Sequence, residues 1–258
     1  MDYDALADSL ASWMRTAVES AGLRGFVVGL SGGIDSAVTA ALSVRAVGTE
    51  NTFGVIMPCH SQTKDADYAT MLAQSLLLTP EVIDLTAACD ALEADLPEGP
   101  PMAHANIRPR LRMTTLYYLA QSRACLVAGT GNKPELMMGY FTKYGDGGVD
   151  LEPLGELYKR EVRALARALD VPEPIIARPP TAGLWPGQTD EGELGITYDE
   201  LDAILDALET GAPMPSPAST VARIQRMIAA SAHKRAVPPA FPVDRSQGSG
   251  AGRSIGRT

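Results

Sequence analysis

An apolar stretch that runs straight into a glycine turn and out into an alanine-rich helix sets the narrowest limit on how this chain folds. RGFVVGLSGGIDSAVTAALSVRAVG, residues 24–48, reads as a buried strand, a turn at Gly32 and Gly33, and a helix ending near Gly48. The alternation continues. TFGVIMP is a second strand closed by Pro58, TKDADYATMLAQSL a helix and EVIDL a third strand. NIRPRLRMTTLYYLAQSR is a helix with an irregular start at Pro109, and ACLVAGT is a fourth strand entering another glycine turn. Strands joined by crossover helices pair in parallel, and the helices cover both faces of the sheet. The expected fold is therefore α/β: a doubly wound, Rossmann-like parallel sheet with helices on both faces. Ligands of such sheets bind beyond the carboxyl ends of the strands. Three polar stretches fall there: SGGIDS, PCHSQTKD and GTGNKPE.

Outside this core, Leu6, Leu10, Trp13, Met14 and Val18 recur near helical spacing, with Gly22 as the stop. The last third differs. ARPPTAGLWPGQTDEGELG is rich in Pro and Gly and reads as a long loop, followed by the helices TYDELDAILDALE and PASTVARIQRMIAASAHKR. A Ser-, Gly- and Arg-rich tail begins at Asp244. The expected organisation is one domain over residues 1–243 and a disordered tail over 244–258.

Composition narrows the class. A chain of 258 residues, 45% hydrophobic but only 5% aromatic, builds its core from Leu, Val, Ile and Ala. The formal charge of -9 argues against a nucleic-acid surface, which needs clustered Lys and Arg. Cys59, Cys89 and Cys125 are far apart, and their spacing fits neither a disulfide framework nor a zinc site. The chain shows no signal peptide and no apolar run able to span a bilayer, so the expectation is a soluble cytoplasmic protein without a membrane or nucleic-acid partner.

SGGIDS itself specifies chemistry. Glycines at a strand–turn–helix junction let backbone N–H groups approach an anion, and the helix N-terminus adds positive potential. Ser31 and Ser36 offer hydroxyls, and Gly32 and Gly33 offer close approach. Asp35 near a phosphate is repulsive unless a divalent cation lies between them, and Mg²⁺ suits a carboxylate with phosphate oxygens. The P-loop lysine that serves the β- and γ-phosphates is missing, which leaves cleavage between the α- and β-phosphates as one alternative.

The S-G-G-x-D-S pattern resembles the signature of ATP pyrophosphatases that adenylate a substrate oxygen. Downstream segments resemble the NAD synthetases of that group in their ammonia-dependent form. GTGNKPELMMGYFTKYGDGGVDLEPLGELYK, residues 129–159, is similar to the family's central block. NIRPRLRM is similar to its N-x-x-x-R-x-R-M segment, PPTAGLWPGQTDEGELGITYDELD to its lid loop and next helix, and HKR to its C-terminal motif. The likeness runs from Gly25 to Pro239 and implies an adenine nucleotide alpha hydrolase-like fold.

The resemblance further implies a two-step reaction. The nicotinate carboxylate of deamido-NAD attacks the α-phosphate of ATP, releasing pyrophosphate, and ammonia then displaces AMP to give NAD. It implies Mg²⁺ on Asp35 and Glu135. It implies ATP contacts at Ser31, Gly32, Gly33, Asp35, Ser36, Arg110, Thr130, Lys159 and Thr181. Deamido-NAD would meet Asn106, Tyr117, Lys143, Asp146, Asp150, His233 and Lys234. Asp146 and Lys159 are the catalytic candidates, Asp146 as a group able to take a proton from ammonium and Lys159 as a cation facing charge at the α-phosphate. Blander roles stay open: a first-turn acid favoured by the helix dipole for Glu135, a helix cap for Thr130, a strand-end or turn cap for Asp150, a solvated lysine for Lys159, a surface ion pair for Arg110, a turn residue for Thr181, core packing for Tyr117, and a helix-end charge run for His233, Lys234 and Arg235. Trp185 either seals or anchors the loop. Cys59 and His60 read as structural. The family implies a homodimer, and no glutaminase segment is visible, so nitrogen comes from free ammonia or a separate glutaminase. The competing reading is a related amidating ATP pyrophosphatase that acts on another carboxylic acid.

Overall fold

The computed structural model describes residues 1–181 and 189–243. Trp185, the rest of residues 182–188 and the tail 244–258 lie outside the described residues. Four strands, β1 (Gly25–Gly29), β2 (Thr52–Ile56), β3 (Glu81–Val82) and β4 (Cys125–Val127), form one sheet in the order β3-β2-β1-β4. Every pairing is parallel, with Val27 opposite Phe53 on one side and Val127 on the other. The third strand is shorter than EVIDL suggested, because only Glu81 and Val82 pair with β2 at the sheet edge. One parallel bridge, Ala128 to Leu151, extends the opposite edge.

The helices are α1 (Tyr3–Ser20), α2 (Ile34–Val47), α3 (Thr63–Ser75), α4 (Thr86–Asp95), α5 (Pro101–Ala105) and α6 (Ile107–Arg123), then α7 (Lys133–Met138), α8 (Lys159–Ala168), α9 (Glu173–Ile176), α10 (Asp190–Leu194), α11 (Tyr198–Thr210) and α12 (Ala218–Ala230). Side chains of a strand alternate between faces. Phe26 and Val28 accordingly enter a layer with α1, α2, α3, α8 and α9, whereas Val27, Val55 and Val127 enter a layer with α4 and α6. The helix α1 buries Ala7, Ala11, Met14 and Val18, one stripe at helical spacing. The helix α2 is buried on nearly every side, as its apolar, Ala-rich sequence demands. Each fully buried Leu or Val in these layers contributes roughly 1.5–3 kcal/mol of transfer free energy. A satellite core joins α7, α10, α11 and α12 around Leu201, Ile204 and Ile224.

The irregularity expected at Pro109 lies instead at Asn106, where α5 ends and α6 begins. Pro109 is the third residue of α6, a position whose N–H has no intrahelical partner, so the ring costs no hydrogen bond. The helix α4 falls in a stretch that carried no helix assignment. No helix among the described residues is long and apolar enough to cross a membrane.

Candidate active site

The carboxyl ends of β1, β2 and β4 open into one cleft of about 560 Å³. Gly32 sits in the turn after β1 at φ +78°, and a Cβ there would lie 2.6 Å from the Asp65 carbonyl oxygen. Only glycine meets both the angle and the space. The two serine hydroxyls hold the turn from within. The Ser36 hydroxyl donates to the Gly33 carbonyl at 3.0 Å and accepts from the Ser31 N–H at 3.2 Å. The Gly33 N–H donates to the Ser31 hydroxyl at 3.2 Å. Gly33 then caps α2 without a side-chain acceptor, so the helix opens toward the cleft with the polarity that suits an anion.

Beside this turn lies a buried charge centre. Asp35 comes from the first turn of α2, Glu135 from the first turn of α7 and Lys159 from the start of α8. The Lys159 ammonium is 2.6 Å from Asp35 Oδ2 and 3.1 Å from Glu135 Oε1, and its side chain is only 1% exposed. The same ammonium lies 4.8 Å from the centre of the Tyr198 ring. Asn132 aligns both acids: its amide donates to Asp35 Oδ1 at 3.0 Å, and its oxygen accepts from the Glu135 N–H at 3.1 Å. The Tyr198 hydroxyl stands 3.2 Å from Glu135 Oε1 and 3.1 Å from Asp190 Oδ2.

The electrostatics follow from this crowding. Burial raises the Glu135 carboxyl to about 7 despite the opposing pull of Lys159, with Asp35 and Asp190 adding to the rise. Burial raises Asp190 too, against Lys159 and the hydrogen bonds from Tyr198 and Tyr140. For Lys159, burial acts to lower the pKa, but Asp35 and Glu135 outweigh it and the ammonium is held above its ordinary range. Two carboxylates thus pair with one ammonium while a third, Asp190, feels its charge, and the centre can take a further positive charge. Among the described residues no group of three or more His, Cys, Asp or Glu forms a metal cage. Hard carboxylate oxygens at the edge of a phosphate-shaped turn suit a cation that takes its other ligands from phosphate and water.

The facing wall of the cleft holds Asn106, Thr142, Asp146 and Lys234. The Thr142 hydroxyl donates to Asn106 Oδ1 at 2.6 Å, and its N–H donates to Asp146 Oδ1 at 2.9 Å. The Asp146 carboxyl reaches solvent through the cleft, yet desolvation by the surrounding wall raises its pKa against the Thr142 and Asp146 N–H groups. The Lys234 ammonium donates to the carbonyls of Gly139 and Phe141, at 2.7 Å each, and desolvation lowers its pKa.

A model of the NAD synthase family matches residues 6–238. The chain belongs to the NAD synthase family. It is 46% identical over 241 residues to the NH(3)-dependent NAD(+) synthetase of Archaeoglobus fulgidus, an alignment covering 93% of this chain and 97% of the relative. Among solved structures, the NMN synthetase of Francisella tularensis superposes with a TM-score of 0.85 at 38% identity, over 93% of this chain and all of the other. The NH3-dependent NAD synthetase of Campylobacter jejuni, in complex with nitrate, gives a TM-score of 0.81 at 30% identity, over 94% and 100% of the two chains.

In this NAD synthase the cleft gathers Ser31, Gly33, Asp35, Ser36, Asn106, Thr130, Glu135, Asp146, Thr181 and Lys234. Gly32 forms the turn behind that surface, and Lys159 is enclosed with the acids instead of being solvated on a helix face. The remaining candidates do not line the cleft. Arg110 is exposed and donates to the Lys143 carbonyl at 3.4 Å. Lys143 donates to the His233 carbonyl at 2.6 Å, and His233 itself is exposed. Tyr117 donates to Asp150 Oδ1 at 3.1 Å, and burial with the Asp150 charge pushes its phenol up to about 12. Asp150 also accepts the Val127 N–H at 2.7 Å, so it caps β4. Arg235 binds the carbonyls of Leu136, Met137 and Ile228. Cys59 is buried in the α4–α6 layer, and His60 pairs with Asp90 at the surface at 2.6 Å.

Sequence reasoning missed Asp190, Tyr198, Asn132, Arg112 and Arg178. Arg112 fixes the end of β2 by donating to the Met57 carbonyl at 3.1 Å and the Ser61 hydroxyl at 3.2 Å. One available signal was the acid-rich DEGEL next to TYDE, which sets Asp190 and Tyr198 just after the long loop.

Proposed function

We propose that the chain makes NAD from deamido-NAD, ATP and ammonia, releasing AMP and pyrophosphate. The convergence of Asp35 and Glu135 on the Lys159 ammonium, beside a glycine turn whose helix N-terminus suits an anion, carries this reading, because two adjacent acids suit the divalent cation that attack at the α-phosphate calls for. Membership of the NAD synthase family and the names of its relatives support the substrate. In the first step the nicotinate carboxylate attacks the α-phosphorus and pyrophosphate departs. Ser31, Ser36 and the N-terminus of α2 bind phosphate oxygens and orient the leaving group. Asp35 and Glu135 would hold Mg²⁺, which supplies charge neutralisation on the phosphates. Lys159 pairs with both acids and opposes the rise that burial gives the Glu135 carboxyl.

In the second step ammonia attacks the acyl-adenylate and AMP leaves. Asp146 faces the cleft with a raised pKa, which suits it to accept the proton that ammonium must lose. Nitrogen arrives as free ammonia or from a separate glutaminase. The chain acts as a homodimer in the cytoplasm, and Tyr117, Lys143, Asp150 and His233, outside the single-chain cleft, contact deamido-NAD near the interface.

The test is product analysis with ATP, Mg²⁺, ammonium and deamido-NAD. Equal yields of NAD, AMP and pyrophosphate are expected, and ADP in their place overturns the reading. A second reading is favoured by one observation, the close superposition with an NMN synthetase. If the mononucleotide acid is amidated with the higher kcat/KM, that reading replaces the first.

A further inference from the structure

Arg178 follows α9 and stands three residues before Thr181. It takes no part in the chemistry above, yet one guanidinium nitrogen donates to the Gly32 carbonyl at 3.2 Å. The other terminal nitrogen pairs with the Asp65 carboxylate, and the group lies 5.1 Å from the centre of the Tyr68 ring. Both partners are largely shielded, with side chains 17% and 22% exposed. The second Asp65 oxygen accepts the Gln62 N–H at 3.3 Å and closes the capping box of α3. A single planar fork therefore joins the turn after β1, the start of α3 and the segment leading to Thr181. Arginine makes such a two-pronged contact, and a lysine ammonium does not. The turn also needs an outside hold. Gly32 sits at φ +78°, pressed to within 2.9 Å of the Tyr68 Cβ for any added side chain, while the serine hydroxyls engage Ser31, Gly33 and each other but not the Gly32 carbonyl.

We propose that Arg178 is a positioning residue for nucleotide binding: braced by Asp65, it fixes the Gly32 peptide so that the turn is shaped for phosphate before ATP arrives. The inference rests on the reading that this turn binds the phosphates of ATP. It differs in sign from a plain electrostatic role. If Arg178 merely attracted phosphate, removing the neighbouring Asp65 charge would tighten ATP binding. If Asp65 braces a positioning arginine, removing that charge loosens it.

Calorimetric titration of the full chain with ATP and Mg²⁺ decides between them. Arg178→Met is expected to weaken ATP by about tenfold or more, the worth of a charge-assisted hydrogen bond. Asp65→Asn weakens it in the same direction, and the double variant is no weaker than Arg178→Met alone. Arg178→Lys recovers less than half of the loss, because one ammonium cannot serve both acceptors. In turnover, KM for ATP rises while kcat and KM for the acid substrate stay within about threefold. Tighter binding by Asp65→Asn, full recovery by Arg178→Lys, or unchanged binding by Arg178→Met overturns the proposal. Should Arg178→Met fail to fold by circular dichroism, the sign for Asp65→Asn decides alone. The readout is separate from amide formation: an unmodified chain that binds ATP but makes no amide refutes the proposed reaction and not this inference.

Discussion

Lys159 carries the charge balance of the cleft. Replacing it with Met leaves Asp35 and Glu135 shielded without their common ammonium and removes the charge that opposes the rise of Asp190. Breaking such a buried pair from one side typically costs about 3–5 kcal/mol. Urea unfolding of Lys159→Met is expected to show a loss of that order, together with lost turnover; unchanged stability would mean the ammonium is dispensable. Glu152 gives a second test. Its carboxylate accepts the Gly131 N–H at 3.0 Å, and burial, then the charges of Glu135 and Asp146, push it up to about 8 from 4.5. The folded chain therefore binds this proton more tightly than the unfolded chain does. The contribution is fully present below 4.5 and is lost as pH rises through about 8. Glu152→Gln removes it, so the melting temperature of the variant should fall less than that of the unmodified chain between about pH 4 and about pH 9, values on either side of that window. Parallel curves would contradict this.

At the scale of elements, the end of the chain acts as a clamp. Arg235 binds carbonyls at the C-terminus of α7 and near the end of α12, and Lys234 binds two carbonyls just beyond α7. These are the orphan groups that helix ends leave open. Arg235→Ala is expected to speed amide hydrogen exchange across residues 133–139 while the β1 amides stay protected. Equal exchange in α7 would show that the clamp adds nothing. Elements such as β1, β2 and α2 were legible in the sequence, because runs like FVV and AVTAAL state their burial and the glycine turn states the boundary. The helix α5 and strand β3 were harder to read, being too short to show a period; their form is set by neighbours. The glycine turn and Asp35 stand out for the same local reason, whereas Glu135 was reached only through the family resemblance. Lys159 as an internal counterion was not legible, since it lies 124 residues from Asp35 in sequence and only packing unites them. Arg178 was hidden likewise: its partners, Gly32 and Asp65, lie 146 and 113 residues away.

For the whole molecule, the proposed reaction gives the cleft of one chain to ATP, and Tyr117, Lys143, Asp150 and His233 lie beyond that cleft. The proposed homodimer would complete the acid-substrate site with a second copy on the α6 face, where Tyr118 is 71% exposed. Tyr118→Arg should shift sedimentation to the monomer and cut amidation by at least about tenfold, since interface aromatics carry much of association energy, while leaving ATP titration unchanged. A monomer with full activity would refute the dimeric site. The separation of Asp35 and Lys159 along the chain, 124 residues, has one more consequence. Asp35 is made early, and the lysine that pairs with it follows well after it. A chain still on the ribosome, with α8 not yet emerged, has its aspartate in water and no closed basin for a nucleotide. The cleft is complete only once Arg178, Asp190 and Lys234 have joined it, so a truncated synthesis product holds the signature motif without the walls that enclose it.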